Sequence, residues 1–154
     1  MELQRRYFLG TGAVLLAGAA GLARVGPAGA QPWNKAAFET RGLKDTLAAL
    51  GGANATESKD IQFVDPTRDI AENGDVVPIA VTSNLPKTRW IAIMVEKNPT
   101  MLSARFDIPE GTEAFISARI KMAETSEVIA LVESGGEFYF AKKAIQVTQC
   151  GCGG

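Results

Sequence analysis

From residue 77 onward, apolar side chains recur at every second position, and turn residues rather than helical stretches separate one such run from the next. Val77, Ile79 and Val81 alternate behind an Asn73-Gly74-Asp75 turn, Leu102, Ala104, Phe106 and Ile108 alternate before Pro109-Glu110-Gly111, and Ile116, Ala118, Ile120 and Met122 oppose Ser117, Arg119 and Lys121. A period of two is that of a strand with one buried face. Residues 90–95 are apolar on both faces, as expected of a central strand in a two-layer structure, and Lys97-Asn98-Pro99 ends them. An extended segment at 60–64 stops at Asp65-Pro66, and a strand over 127–132 turns at Ser134-Gly135-Gly136 into 137–141. Ile145 and Val147 close the last strand, past an irregularity at Lys142-Lys143.

Seven short strands at spacings of roughly ten to fifteen residues predict a mainly β fold, an immunoglobulin-like antiparallel β-sandwich. Strand count and spacing carry this reading, because the Cys…Trp…Cys signature of antibody domains is missing. A parallel α/β fold is disfavoured, since no helical pattern interrupts the strands after position 60. Ahead of them, residues 33–50 read as a short helix with Ala36, Leu43, Leu47 and Leu50 on one stripe, Gly42 weakening its middle and Gly51-Gly52 stopping it.

The 154 residues suffice for one core. The first thirty are predicted to serve export: Gln4-Arg5-Arg6-Tyr7-Phe8-Leu9 is a twin-arginine pattern, with Arg5 and Arg6 as the signal pair. A weakly apolar Ala/Gly/Leu-rich stretch follows, and Ala28-Gly29-Ala30 is a small-residue cleavage site, with cleavage expected after Ala30. The apolar run is too short and glycine-rich to read as a membrane anchor. The expected organisation is therefore a signal peptide over 1–30, helix plus sandwich over 31–147, and a flexible arm over 148–154. The twin-arginine route carries folded cargo, which implies a cofactor inserted beforehand or a partner subunit carried along. With no histidine in the chain and no cysteine outside the last five residues, ligands for a metal or haem are few, so the sequence calls for no cofactor and favours a partner.

A net charge of −1 and the lack of any Lys/Arg cluster longer than two residues exclude an electrostatic nucleic-acid or anionic-membrane binder. The absence of histidine removes the usual general base. What remains is the ending, Gln149-Cys150-Gly151-Cys152-Gly153-Gly154, which holds both cysteines of the chain. Gly151, Gly153 and Gly154 leave the backbone free and add no bulk, so Cys152 is predicted to reach on the order of 17 Å beyond Val147 when extended, into a narrow cleft of another protein. No helix N-terminus, histidine or fixed cation lowers its pKa, so the thiol is available without being activated. That suits a carrier whose thiol is activated in someone else's active site, and not an enzyme. A structural disulfide between residues two apart at a free end would constrain almost nothing. A simply frayed terminus is the bland reading. The alternative function is a periplasmic Cu(I)-binding metallochaperone using Cys150 and Cys152, with Met94, Met101 or Met122 as soft helpers.

The twin-arginine leader, the short helix, the segments "AENGDVVPIAV" (71–81), "IAIMVEKNP" (91–99) and "ISARIKMAETSEVIALVESGG" (116–136), and the terminal Gly-Cys-Gly-Gly resemble the SoxY family of sulfur-oxidation carriers. The resemblance implies an immunoglobulin-like subunit that pairs with a leaderless SoxZ-like protein in the periplasm. It implies Cys152 as the attachment point. There, haem-containing SoxAX joins thiosulfate oxidatively to the thiol, SoxB hydrolyses off the outer sulfone as sulfate, and a sulfane dehydrogenase, where one takes part, oxidises the sulfur that remains. The departure from the family's Gly-Gly-Cys-Gly-Gly ending is Cys150, an auxiliary thiol that could resolve a mixed disulfide of Cys152 or serve as no more than a linker position.

Overall fold

The computed structural model describes residues 34–149. Two short helices, α1 (Lys35–Glu39) and α2 (Leu43–Ala49), precede nine strands: β1 (Thr56–Glu57), β2 (Ile61–Val64), β3 (Ile70–Asn73), β4 (Val77–Ser83), β5 (Thr88–Val95), β6 (Leu102–Asp107), β7 (Phe115–Ile120), β8 (Ser126–Ser134) and β9 (Glu137–Gln149). The larger sheet runs β1-β9-β8-β5-β6, with β3 also paired to β9, and the smaller runs β2-β4-β7. This is the expected immunoglobulin-like sandwich behind a short helical segment.

Between the sheets lies one apolar cluster, built from the alternating positions legible in the sequence: Ile79 and Val81 of β4, Ile116 and Ile120 of β7, Ile91, Ile93 and Val95 of β5, and Val128, Ala130 and Val132 of β8. A second cluster occupies the other face of the larger sheet, where Trp90, Ala92, Met94, Ile129 and Leu131 meet Ala37 and Leu50 of the helical segment, with Leu43 and Leu47 packed against them. The architecture thus has three layers, and this corrects the reading of residues 90–95. A two-layer sandwich would leave one face of β5 wet; the strand is apolar on both faces because helices cover the second one.

The helical segment is two pieces and not one. Gly42 has φ 101°, a left-handed backbone that L side chains rarely adopt, and it separates α1 from α2. The break is closed by hydroxyls: the Thr46 side chain donates to the Gly42 carbonyl at 2.9 Å and lies 2.7 Å from the Thr40 hydroxyl. The reorientation moves the buried position from Ala36, which is exposed, to Ala37. Past α2, Gly51 (φ 84°) lets the chain turn down onto the sheet, where a Cβ would stand 3.1 Å from the Phe138 ring.

Two strands escape sequence pattern altogether. β1 and β3 are short and lie parallel to β9, at Thr56↔Tyr139 and Ile70↔Gln146. They are exceptions to an otherwise antiparallel arrangement. β9 itself is continuous, its pairing with β8 unbroken from Ser134↔Glu137 to Ser126↔Ile145, so the irregularity expected at Lys142-Lys143 is absent. Lys143 keeps the strand's phase between the inward positions Ala141 and Ile145, and its ammonium is held by the Asp69 carboxylate.

Candidate functional site: the root of the cysteine tail

Cys150, Gly151, Cys152, Gly153 and Gly154, like Arg5, Arg6 and the whole 1–30 leader, lie outside the described residues. What the fold defines is the place from which the tail departs. β8 ends its pairing at Ser126↔Ile145, yet β9 continues for four more residues to Gln149. Those residues are held from both sides.

On the side that β8 vacates, the Thr125 hydroxyl substitutes for a strand: it accepts from the Val147 N–H at 3.0 Å and donates to the Val147 carbonyl at 3.4 Å. On the other side β3 pairs in register, Ala71↔Val147 and Asn73↔Gln149, and the Gln146 N–H donates to the Asp69 carbonyl at 2.8 Å. The Thr148 hydroxyl donates to the Glu72 carbonyl at 3.1 Å. The final fixed carbonyl, that of Gln149, accepts from the Gly74 N–H at 2.9 Å, and the Gly74 carbonyl accepts in turn from the Met122 N–H at 2.7 Å. Asn98 locks this relay by donating to the Lys121 carbonyl at 2.7 Å and accepting from the Ala123 N–H at 2.9 Å. Buried Ile145 and Val147 dock the strand to the sandwich core beneath.

The strand therefore runs two residues past Val147, where the sequence pattern ends it, and Thr148 and Gln149 belong to the sheet. Cys152 is the third residue after Gln149, so a fully extended chain would carry it about 10 Å beyond the fixed root and not about 17 Å. Periodicity alone could not find this, because Thr148 and Gln149 carry no apolar side chain and their partner, β3, has no strand-like pattern. The surface beside the root carries two exposed apolar side chains, Ile70 and Val76, and an exposed Lys121–Asp75 pair at 3.1 Å, a geometry that contributes little in water.

Thr125→Val tests the hydroxyl's part in this anchoring. The isosteric change leaves the Val147 N–H without its acceptor, a loss on the order of 1 kcal/mol. Amide exchange at Val147 is expected to speed up by about fivefold to tenfold, while exchange in β5 stays unchanged. Equal exchange at Val147 in both proteins would assign the anchoring to β3 alone.

Met94, Met101 and Met122, named as soft helpers for a copper site, have their side chains packed in the apolar clusters. All three are core residues, at 0%, 1% and 0% exposure. Among the described residues, no group of three or more His, Cys, Asp or Glu side chains is placed to hold a metal ion. None of the described helices is long and apolar enough to cross a membrane.

Sandwich and root together define a class: a small β-sandwich protein that ends in a thiol-bearing tail rooted on a firmly held strand. The sequence matches the model of the sulfur oxidation protein SoxY over residues 47–152, a match whose last residue is Cys152, and the chain belongs to that family. The solved sulfur carrier protein SoxY from Chlorobium limicola f thiosulfatophilum is 32% identical, with a TM-score of 0.62 over 74% of this chain and 97% of that one. A superoxide reductase (neelaredoxin) from Ignicoccus hospitalis is 17% identical, with a TM-score of 0.49 over 59% of this chain and 82% of its own. None of the curated proteins compared with the sequence matches it.

Proposed function

We propose that this chain is a periplasmic covalent carrier of sulfur intermediates in thiosulfate oxidation, that it is not itself an enzyme, and that Cys152 is the attachment point. The observation that carries the reading is the anchored end of β9, because a carrier needs a thiol that travels on a short tether while the body that partners recognise stays rigid. Membership of the SoxY family and the 32% identity to a solved sulfur carrier supply the cargo class.

Export by the twin-arginine route, through Arg5 and Arg6, places the carrier in the periplasm together with a SoxZ-like subunit. SoxAX would load thiosulfate, SoxB would release sulfate, and a sulfane dehydrogenase, where one takes part, would oxidise the retained sulfur. Gly151, Gly153 and Gly154 give the tail a thin profile for these clefts. Because the tether is short, the mouth of each cleft must close near the root, where Ile70 and Val76 offer apolar contact.

The test is intact-mass analysis after turnover with thiosulfate and the processing enzymes. Cys152→Ser is expected to lose every sulfur adduct, and Cys150→Ser to keep them. Adducts that persist in the first variant and vanish in the second would move the site to Cys150. Adducts absent from the unsubstituted protein as well, together with tight Cu(I) binding that needs both thiols, would replace the carrier by a metallochaperone.

A further inference from the structure

Among the described residues three large apolar side chains stand exposed, Ile70, Val76 and Phe115, the first two by more than half. Two of the three bracket the root. The Gly74 N–H holds the Gln149 carbonyl, and Asn73 pairs with Gln149. Val76 belongs to the same turn, its N–H donating to the Asn73 carbonyl at 3.4 Å, and Ile70 lies three residues back along β3, about 10 Å from Asn73. Phe115 stands at the far end of β7, whose near end, Ile120, pairs with Val77.

The exposure of Ile70 follows from strand alternation. Ala71 packs against the inter-sheet core, so Ile70 and Glu72 on either side of it turn away. On β9 Gln146, opposite Ile70, and Thr148 are exposed around buried Val147 in the same way. The helical layer shields this sheet at Phe138 and Phe140 but leaves Ala144, Gln146 and Thr148 exposed. Most of the charge nearby cancels. Lys121 pairs with Asp75 at 3.1 Å, Lys97 with Glu124 at 3.6 Å, Lys142 with Glu127 at 3.4 Å, and Lys143 with Asp69. Arg68 and Glu72, exposed and of opposite sign, stand two residues to either side of Ile70.

We propose that the turn from Asn73 to Val76 and the adjoining stretch of β3 are the docking surface for the enzymes that act on the tail, and that those enzymes meet Ile70 and Val76 with an apolar recess and not with a charged one. The proposal rests on the carrier reading above and names the partner surface it requires. What selects this occupant is the length of chain beyond the root. Cys152 is the third residue after Gln149, so at full extension it stands about 10 Å away. An enzyme whose reacting groups meet that sulfur brings its own surface to about the same distance from Gln149, and Val76 and Ile70 lie at about that radius or inside it. Apolar side chains rimmed by polar ones are what such a contact dries. A second copy of the chain seated there would instead crowd the exit that the tail needs.

The test is the double variant Ile70→Thr, Val76→Thr in the mature chain with its SoxZ-like subunit. Threonine keeps the β-branch, and so the strand, while placing a hydroxyl where apolar surface stood. Binding of SoxAX and of SoxB, each alone and without thiosulfate, is measured at equilibrium. The double variant is expected to bind each at least about tenfold more weakly, and Phe115→Thr to bind as the unsubstituted protein does. Affinity of the unsubstituted protein is expected to change by less than about threefold between about 50 and 300 mM salt, because the contact is apolar. Equal binding by the double variant and the unsubstituted protein, an equal loss in Phe115→Thr, or a steep salt dependence overturns the proposal. So does a double variant that binds both enzymes normally but loses its SoxZ-like subunit or a self-association of the chain, which would give the surface to that occupant. The carrier reading fails separately: if Cys152→Ser kept its sulfur adducts from thiosulfate while the double variant lost enzyme binding, the attachment point would fall and the docking surface would stand.

Discussion

A chain from which Cys150 and Gly151 are deleted, so that Cys152 directly follows Gln149, is expected to form sulfur adducts with its processing enzymes at least about 100-fold more slowly than Cys150→Ser, although both carry one thiol with the same glycine ending. The deletion withdraws the sulfur by about 7 Å, most of the roughly 10 Å by which Cys152 can leave the root. The root cannot yield to compensate. Releasing Gln149 would break its bond to the Gly74 N–H, and releasing Val147 would expose a side chain that packs in the core and free the two bonds to Thr125. Small reagents need no reach, so dipyridyl disulfide is expected to label the deleted chain and Cys150→Ser at similar rates. Comparison with Cys150→Ser, and not with the unsubstituted chain, keeps the number of thiols equal and leaves tether length as the difference. Equal adduct formation by the two would mean that enzymes collect sulfur at the surface of the body, and the short-tether account would fail.

How much of this was legible in the residues depends on which face an element turns to what. The inter-sheet core was legible because Val77, Ile79, Val81, Ile116 and Ile120 recur in a period of two, with Pro78, Thr82, Ser117 and Arg119 half-buried or exposed on the opposite face and only Ala80 buried there. The third layer was not, because periodicity records that β5 is dry on both faces without recording what dries it. Helices so short leave little amphipathic signal, and the left-handed turn at Gly42 shifts the buried position from Ala36 to Ala37. β1 and β3 were invisible for another reason. Each is held through backbone pairing to β9, and their exposed side chains, Thr56, Glu57, Ile70 and Glu72 among them, carry no alternation. The same gap hid the anchoring of Thr148 and Gln149, whose partners are backbone groups of Glu72 and Gly74. Lys142-Lys143 misled because a lysine at an inward position normally marks a break, whereas here Asp69 meets it at the sheet edge. The tail is the opposite case: it lies outside the described residues, and the chemistry proposed for it rests on its composition, two cysteines among glycines.

Removing the helical layer carries the largest structural consequence. A chain beginning at Ala55 is expected to show no cooperative thermal unfolding and to elute as aggregate, because it strips the cover from Trp90, Ala92, Met94, Ile129 and Leu131. Each large apolar side chain returned to water costs about 1.5–3 kcal/mol, so the four large ones together approach 10 kcal/mol. The whole stability of a domain is about 5–15 kcal/mol. Half-buried Phe138 and Phe140 extend the uncovered area along β9, making a contiguous patch of the kind that drives association. Because β9 also carries the tail's root, the loss would reach the functional end through the sheet: β9 pairs with β8 over nine residue pairs, and β8 lies between β9 and β5 at the centre of the stripped face. A monomeric truncated chain that melts cooperatively near the temperature of the full one would mean that the inter-sheet core suffices alone, and that the helices serve something other than the stability of the sandwich.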